Sequence, residues 1–381
     1  MMRPMKLAGS QLMFGAGSLA HLKTLMGKRA VIVTGGSSMK KSGILQKTID
    51  YLKEAGIESR VIEGVEPDPL FSTVYNGAEA MKDFQPDIIV GLGGGSAMDA
   101  AKAMWVYYEH PELKTLNDIV PPNTIPKLRM KAILVCIPST SGTASEVSRS
   151  VVITDDETHI KYGVGNMEMM PDIAICDPEV TVTMPAKITA ETGMDALTHA
   201  LEALVSNRAN YISNIFAKNA AKDIILTLPK ACNQGNDIAS REIMINASMA
   251  AGMAFTNVSL GIVHSMAHTL GSCFGISHGL ADAVILPYVM EFNSHNADAK
   301  NRYDELAKEM GARDLLKVVR ELNKSIGIPS NFAQLIPDEK SYTNELTAMA
   351  EMALKDGCTK TNPVIPTIEQ LKELFIKVYR D

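Results

Sequence analysis

The chain has 381 residues, enough for two domains with cores of their own. An apolar share of 46% and a charged share of 21% are ordinary for a soluble globular enzyme. The net charge of −6, with no block of like charges, argues against nucleic acid or an acidic membrane as a partner.

The first six residues, Met-Met-Arg-Pro-Met-Lys, lack the apolar core of a signal peptide. No run approaches the roughly 18 apolar residues of a membrane span. Residues 29–34 form a short apolar run closed by Gly35-Gly-Ser-Ser38, which predicts a buried strand and its turn. A helix is predicted over 43–55 with Gly56 as its stop, then a strand over 58–63 and a helix over 73–83. A third strand is predicted over 86–92 and a third helix over 97–108. Residues 110–130, with four prolines, predict a loop. Strands follow at 132–137, 151–154 and 173–176. Alternating β and α segments predict a parallel sheet with helices on both faces.

After about residue 183 the strand-like runs stop. Helices are predicted over 185–205, 210–227, 240–255, 264–273, 282–292, 301–310, 315–326 and 344–354. The change predicts an α/β dinucleotide-binding domain over 1–182 and an all-helical metal-binding domain over 183–381. The five cysteines, Cys136, Cys176, Cys232, Cys273 and Cys358, are scattered without a CxxC pair, which fits reduced thiols and a cytoplasmic location.

Two constellations carry chemistry. In the helical half, Asp195 and His199 are four apart, as are His264 and His268, and His278 follows. Residues i and i+4 share one helix face. Buried ionisable groups are costly unless paired or metal-bound. Three imidazoles and a carboxylate therefore predict a divalent-metal site suited to iron or zinc. Cys273 lies between His268 and His278 and is a further ligand candidate, with packing its favoured role. In the α/β half, the predicted strand 86–92 runs into Gly93-Gly-Gly-Ser96 and directly into a helix, where unpaired N–H groups suit a pyrophosphate. A tight turn with a serine cap is the competing reading. A second loop, Pro138-Ser-Thr-Ser-Gly-Thr143, also follows a strand, as ligand loops do in open α/β sheets.

These segments resemble the iron-containing (group III) alcohol dehydrogenases nearly end to end. The matching stretches are Gly93-Gly-Gly-Ser-Ala-Met-Asp-Ala-Ala-Lys102, Ser139-Thr-Ser-Gly-Thr-Ala-Ser-Glu146, Gly193-Met-Asp-Ala-Leu-Thr-His-Ala-Leu-Glu202, Gly261-Ile-Val-His-Ser-Met-Ala-His-Thr-Leu-Gly271, His278-Gly-Leu-Ala-Asp-Ala-Val-Ile-Leu-Pro287 and Asp356-Gly-Cys-Thr-Lys-Thr-Asn-Pro363. The resemblance implies Asp195, His199, His264 and His278 as ligands to iron(II), with zinc as the alternative. It places His268 beside the metal without requiring it to ligate. It implies a nicotinamide dinucleotide held between the two domains, with Gly94, Gly95 and Ser96 on the pyrophosphate. Asp99 matches the family's loop-helix aspartate. Ser139, Thr140, Thr143 and Lys161 would line the cofactor, Met184 and Ile188 would lie close to it, and Asp68 and Ser150 are further contacts on the same ground.

One position departs from the commonest family pattern. Many members carry an aspartate after the first strand, where this chain has Gly35. Gly35, Gly36, Ser37 and Ser38, followed by Lys40 and Lys41, offer space, hydroxyls and positive charge, similar to members that use NADPH. NADP(H) is favoured over NAD(H), with a plain turn and solvated lysines as the competing reading.

The function so implied is a metal-dependent oxidoreductase that transfers a hydride between NAD(P)(H) and a short primary alcohol or aldehyde, the metal polarising the alcohol oxygen. His268 is the candidate catalytic residue, relaying the hydroxyl proton. The substrate pocket is expected between the two halves, with Phe255 and Cys358 as lining candidates or plain packing. The resemblance also implies a homodimer or larger homo-oligomer. Two alternatives stand beside this reading. One is a zinc-dependent polyol dehydrogenase of the glycerol type, or a lyase like dehydroquinate synthase, on the same fold. The other is a non-catalytic metal- or nucleotide-binding protein.

Overall fold

The computed structural model describes residues 4–380; the first three residues of the N-terminal stretch read above lie outside them. In chain order the strands are β1 Gln11–Phe14, β2 Arg29–Gly35, β3 Glu58–Val65, β4 Ile88–Gly93, β5 Ile133–Pro138, β6 Ser150–Thr154, β7 Lys161–Gly165 and β8 Ile173–Cys176. Helices α1 Ser38–Lys41, α2 Ile44–Glu54, α3 Phe71–Phe84 and α4 Gly95–Glu109 alternate with them. Six strands form one sheet in the order β1-β8-β5-β4-β2-β3, and every pairing in it is parallel.

The central strand β4 is buried along its whole length, as a strand covered on both faces must be. Successive side chains alternate between the faces. Val31, Val33, Ile89, Leu134 and Cys136 pack with Val74, Ala78 and Met81 of α3 and with Met104 and Trp105 of α4. Ala30, Ile32, Ile88, Val90, Val135 and Ile137 pack with Leu45 and Leu52 of α2. Each fully buried Ile, Val or Leu contributes about 1.5–3 kcal/mol, so the two faces of the sheet hold this unit together.

The structure differs from expectation at three strands. Residues 151–154 do not extend the sheet; β6 pairs antiparallel with β7 in a separate two-stranded ribbon, Val151 opposite Val164. The partner β7 carries two glycines and is only partly buried, so it has no apolar signature. Strand β1, also half-exposed, exists through its pairing with β8.

The later helices are α5 Ala186–Val205, α6 Tyr211–Asn233, α7 Ile238–Val258, α8 Ile262–Phe274, α9 His278–Asn293, α10 Ala297–Glu309, α11 Leu315–Ser325, α12 Glu339–Lys355 and α13 Ile368–Arg380. Helix α5 is buried over nearly all its length and packs against α6 and α9, while α8 packs on α9 and α12. Helix α13 was not among the predicted elements. The chain divides into two compact units. One runs up to Met184 and includes Asn236–Met249; the other is Pro185–Gly235 with Ala250–Asp381. The early part of α7 therefore belongs with the sheet rather than with the helical unit. Contacts within that unit explain this: Arg241 donates to the Met184 carbonyl (2.9 Å), Ser248 donates to the Gly142 carbonyl (3.0 Å), and Met249 meets Cys176. Among the described residues no single helix is long and apolar enough to cross a membrane.

Candidate functional site

In the helical unit, α5 brings Asp195 and His199, α8 brings His264 and His268, and α9 brings His278 and Asp282. Helix α9 reaches α5 because its second residue is Gly279. A Cβ there would lie 2.3 Å from the Glu191 carbonyl oxygen, so any other residue would push His278 away from Asp195. Asp195 Oδ1 lies 3.5 Å from His199 Nδ1, 3.8 Å from His264 Nε2 and 3.9 Å from His278 Nε2. Asp282 Oδ2 lies 3.1 Å from His278 Nε2 and 3.9 Å from His264 Nε2. One ligand atom each from Asp195, His264, His278 and Asp282 falls within 4.8 Å of all the others. His199 stands at the edge of this group. Its ring is 4.6 Å from that of His264 and stacks on Phe255 at 4.4 Å.

The surroundings orient these groups. His264 Nδ1 donates to Glu202 Oε2 (2.7 Å), which leaves the Nε2 lone pair facing Asp195 and Asp282. Glu202 Oε1 in turn accepts from the Val263 backbone N–H. His268 lies outside the tight group, half-exposed, with its ring stacked 5.3 Å from that of His278 and its Nδ1 2.8 Å from Asp356 Oδ2. Burial pushes the Asp356 carboxyl up, but hydrogen bonds from His268 and Cys358 and the His268 charge outweigh it and hold the group well below the usual range.

The cluster is electrostatically unsatisfied by protein alone. Asp195 Oδ1, His199 Nδ1, His264 Nε2 and both oxygens of Asp282 are buried without a hydrogen bond of good geometry. Burial raises the Asp195 carboxyl, and burial with the nearby Asp195 and Glu202 charges raises Asp282 further. Burial also pushes Glu202 up to about 7 and His264 well below its ordinary value. Converging lone pairs of N and O donors are what a divalent cation needs, so these residues fit a metal. Asp282 and Glu202 were not singled out from sequence. Asp282 stands four after His278, the same spacing that marks Asp195/His199 and His264/His268, and that spacing was the available signal.

In the sheet unit, Gly94 caps α4 and Gly95 and Ser96 open it. Gly93 has φ +152°, and a Cβ there would lie 2.9 Å from Ala97 and 3.9 Å from the Gly35 backbone N, so the loops after β2 and β4 are neighbours. The loop after β5 is close as well: Cβ atoms at Gly94 and Gly95 would meet Thr140 (3.6 Å) and Thr143 (2.8 Å), and Ser139 N–H donates to the Gly93 carbonyl. Asp68 N–H donates to Ser96 Oγ (3.3 Å), and Lys161 Nζ reaches Asp68 Oδ2 (2.7 Å). The predicted residues 35, 68, 94–96, 139, 140, 143 and 161 are thus gathered around the start of α4.

The remaining predicted residues divide by their contacts. Asp99 accepts from Ser145 Oγ and Val152 N–H, so its carboxylate ties β6 and the β5 loop to α4. Ser150 is exposed on β6, and its carbonyl accepts from the buried Lys102. Ser37 precedes α1 and Ser38 begins it, next to Gly36. Lys40 pairs with Glu63 (3.2 Å), whereas Lys41 is exposed and, among the described residues, has no ion pair. Met184 is buried in the sheet unit; Ile188 lies exposed in the first turn of α5, in the helical unit.

Comparison with known proteins matches both units. Residues 9–178 fit the family described as Iron-containing alcohol dehydrogenase, and residues 189–379 fit the Fe-containing alcohol dehydrogenase family, C-terminal. An NADPH-dependent butanol dehydrogenase of Clostridium saccharobutylicum is 47% identical over 375 residues, spanning 96% of this chain and 95% of its own. An alcohol dehydrogenase of Thermococcus barophilus is 38% identical, spanning 98% of each chain. The solved iron-containing alcohol dehydrogenase of Thermococcus thioreducens superposes with a TM-score of 0.92 at 37% identity, covering 98% of this chain and 99% of that one.

Proposed function

The chain belongs to the iron-containing alcohol dehydrogenase family, and on that premise we propose that it reduces short primary aldehydes with NADPH and oxidises the corresponding alcohols with NADP⁺. The observation that carries this reading is the convergence of Asp195 Oδ1 with His264 Nε2 and His278 Nε2, at 3.8 and 3.9 Å, the buried Asp195 and His264 atoms lacking a hydrogen bond.

When bound, iron(II), with zinc as the alternative, supplies a Lewis acid there, and the nicotinamide of NADP(H) supplies the hydride chemistry. The chain's own residues do the rest. Asp195, His199, His264 and His278 would hold the cation, and Glu202 fixes the His264 tautomer so that Nε2 faces it. Phe255, stacked on His199, keeps water from that face of the ring. His268 has Nδ1 engaged by Asp356, so Nε2 is the atom at which a hydroxyl proton is taken up or returned. Gly94, Gly95 and Ser96, at the start of the fifteen-residue α4, offer unpaired backbone N–H groups to a pyrophosphate. Gly35 leaves room at the end of β2 where an acid would repel a 2′-phosphate, and Lys41 is an exposed cation nearby in sequence.

The NADP preference and the short primary substrate take support from the Clostridium relative, which is NADPH-dependent and acts on butanol by name. The matches to alcohol dehydrogenases along the chain do not favour the polyol-dehydrogenase and lyase alternatives. A cytoplasmic enzyme that works as a homodimer or larger assembly completes the reading; light scattering on the purified protein tests the assembly. The deciding experiment supplies iron-loaded protein with butanal and either NADPH or NADH and follows the reduced-nicotinamide absorbance. NADPH is expected to be consumed faster, and chelation to stop the reaction. Turnover that survives complete metal removal would end this reading.

A further inference from the structure

We infer that Asp282 is itself a ligand of the metal, so that the site carries two carboxylates rather than one. The inference rests on the metal-dependent reading above and concerns a residue that this reading does not need.

Asp282 sits on α9 one turn after His278 and is fully buried. Neither of its oxygens makes a hydrogen bond of good geometry. Among the described residues no Lys or Arg pairs with Asp282 or with Asp195, and the nearby carboxylate Glu202 is committed to His264 and the Val263 backbone. A fully buried carboxylate in such a place is costly in its ionised form unless a cation meets it.

The distances agree with direct ligation. Zinc and similar cations bind N and O donors at about 2.0–2.2 Å, so neighbouring donors around one ion stand about 3.0–3.5 Å apart and opposed ones about 4.2 Å. The observed separations are 3.1 Å from Asp282 Oδ2 to His278 Nε2 and 3.9 Å to His264 Nε2, and 3.8 and 3.9 Å from Asp195 Oδ1 to the same two nitrogens. The first lies in the neighbouring-donor range and the other three between the neighbouring and opposed values, so all four suit donors around one ion. A residue that only oriented His278 from behind would contact its far nitrogen, as Glu202 does for His264; Asp282 instead meets the same Nε2 that faces Asp195.

The second carboxylate has consequences for metal choice. Two carboxylates neutralise the charge of a divalent ion, and a harder, more oxygen-rich donor set shifts preference toward iron(II) or manganese(II) and away from softer ions. It also raises the protein's share of the coordination sphere, leaving fewer positions for solvent.

The test uses the full chain stripped of metal and titrated with cobalt(II) and iron(II), in the unaltered form and as Asp282→Asn and Asp282→Leu. Asparagine is isosteric and keeps one weak oxygen donor; leucine fills the space and removes ligation. Loss of a direct ligand is expected to weaken iron(II) binding beyond the roughly 10–100-fold typical of an outer partner, with leucine the more severe. The cobalt(II) visible bands should strengthen in both variants as the coordination number drops. The cobalt spectrum of the unaltered chain gives an answer independent of whether the variants fold: weak five- or six-coordinate bands are expected, and intense four-coordinate bands would overturn the inference. Variants that bind iron(II) and cobalt(II) like the parent, with the same spectrum, would overturn it too while leaving the metal-dependent reading intact. If the unaltered chain takes up no metal at all, both fall.

Discussion

In the sheet unit, the groups proposed to face a ligand are mainly backbone N–H groups at the ends of β4 and β5, and the side chains around them are small. In the helical unit they are ionisable side chains on three helices, buried among apolar neighbours. The two designs fail in opposite ways. A backbone cradle tolerates a change of functional group but not an added Cβ, because Thr143 already stands against Gly95. A side-chain cluster tolerates small movements but not the loss of a donor, because each remaining lone pair then faces another with nothing between them.

The largest expected effect is on the side-chain design. His264→Ala removes a donor and strands Glu202, so bound metal should be lost and kcat/KM should fall by more than about 10³-fold, above the cost of a single oxyanion donor. Elemental analysis read beside the kinetics separates the two losses; an active variant without metal would break the contrast. Next comes His268→Ala. The metal should stay, because this residue lies outside the tight cluster, while kcat falls about 10²–10⁴-fold, the usual contribution of a positioned acid or base. Partial rescue by added imidazole would sharpen that assignment, and loss of metal would overturn it.

Changes to the backbone cradle should be smaller and should spare the metal. Gly95→Ala puts a Cβ 2.8 Å from the Thr143 methyl, an overpacking of about 1–3 kcal/mol. KM for NADPH should rise about tenfold at unchanged metal content, and adding Thr143→Ser, which removes that methyl, should restore much of it. Lys41→Ala should cost about 1 kcal/mol against NADPH, about fivefold in KM, with NADH unaffected. Equal effects on both cofactors would remove Lys41 from the 2′-phosphate.

The same contrast governs what could be read in advance. β2, β4 and β5 announce themselves as apolar runs because both faces of the sheet are covered, and Gly93 to Ser96 marks the cradle through residue type alone. β1 and β7 gave no such signal: they are half-exposed and owe their conformation to the strands they pair with, a tertiary effect that local pattern does not carry. In the helical unit the i, i+4 spacing led to the imidazoles, but Asp282 looked like an ordinary helix residue until α9 was seen against α5. Proximity between helices far apart in sequence is set by Gly279 and by the packing of α5, α8 and α9.

The sheet unit also contains a buried carboxylate, and it tests whether burial alone marks a metal site. Glu146, in the turn after β5, is almost wholly buried; among the described residues its Oε2 has no side-chain hydrogen bond, and Oε1 stands 3.9 Å from the Cys176 thiol. Unlike Asp195 it belongs to no cluster of metal-binding donors among the described residues. Burial lifts its pKa from the ordinary 4.5 to about 7, against the pull of Lys102. A raised folded-state value means that the folded chain holds a proton the unfolded chain has released. Stability should therefore be full below about pH 4.5 and decline to about pH 7, by on the order of 3 kcal/mol in total. Glu146→Gln removes that ionisation, so denaturation midpoints of variant and parent should lie close at pH 5 and separate at pH 8, with the variant the more stable. Metal content should not change. Parallel pH curves would show that Glu146 gains a partner in solution, and a loss of metal would mean that the contrast between the two units is drawn in the wrong place.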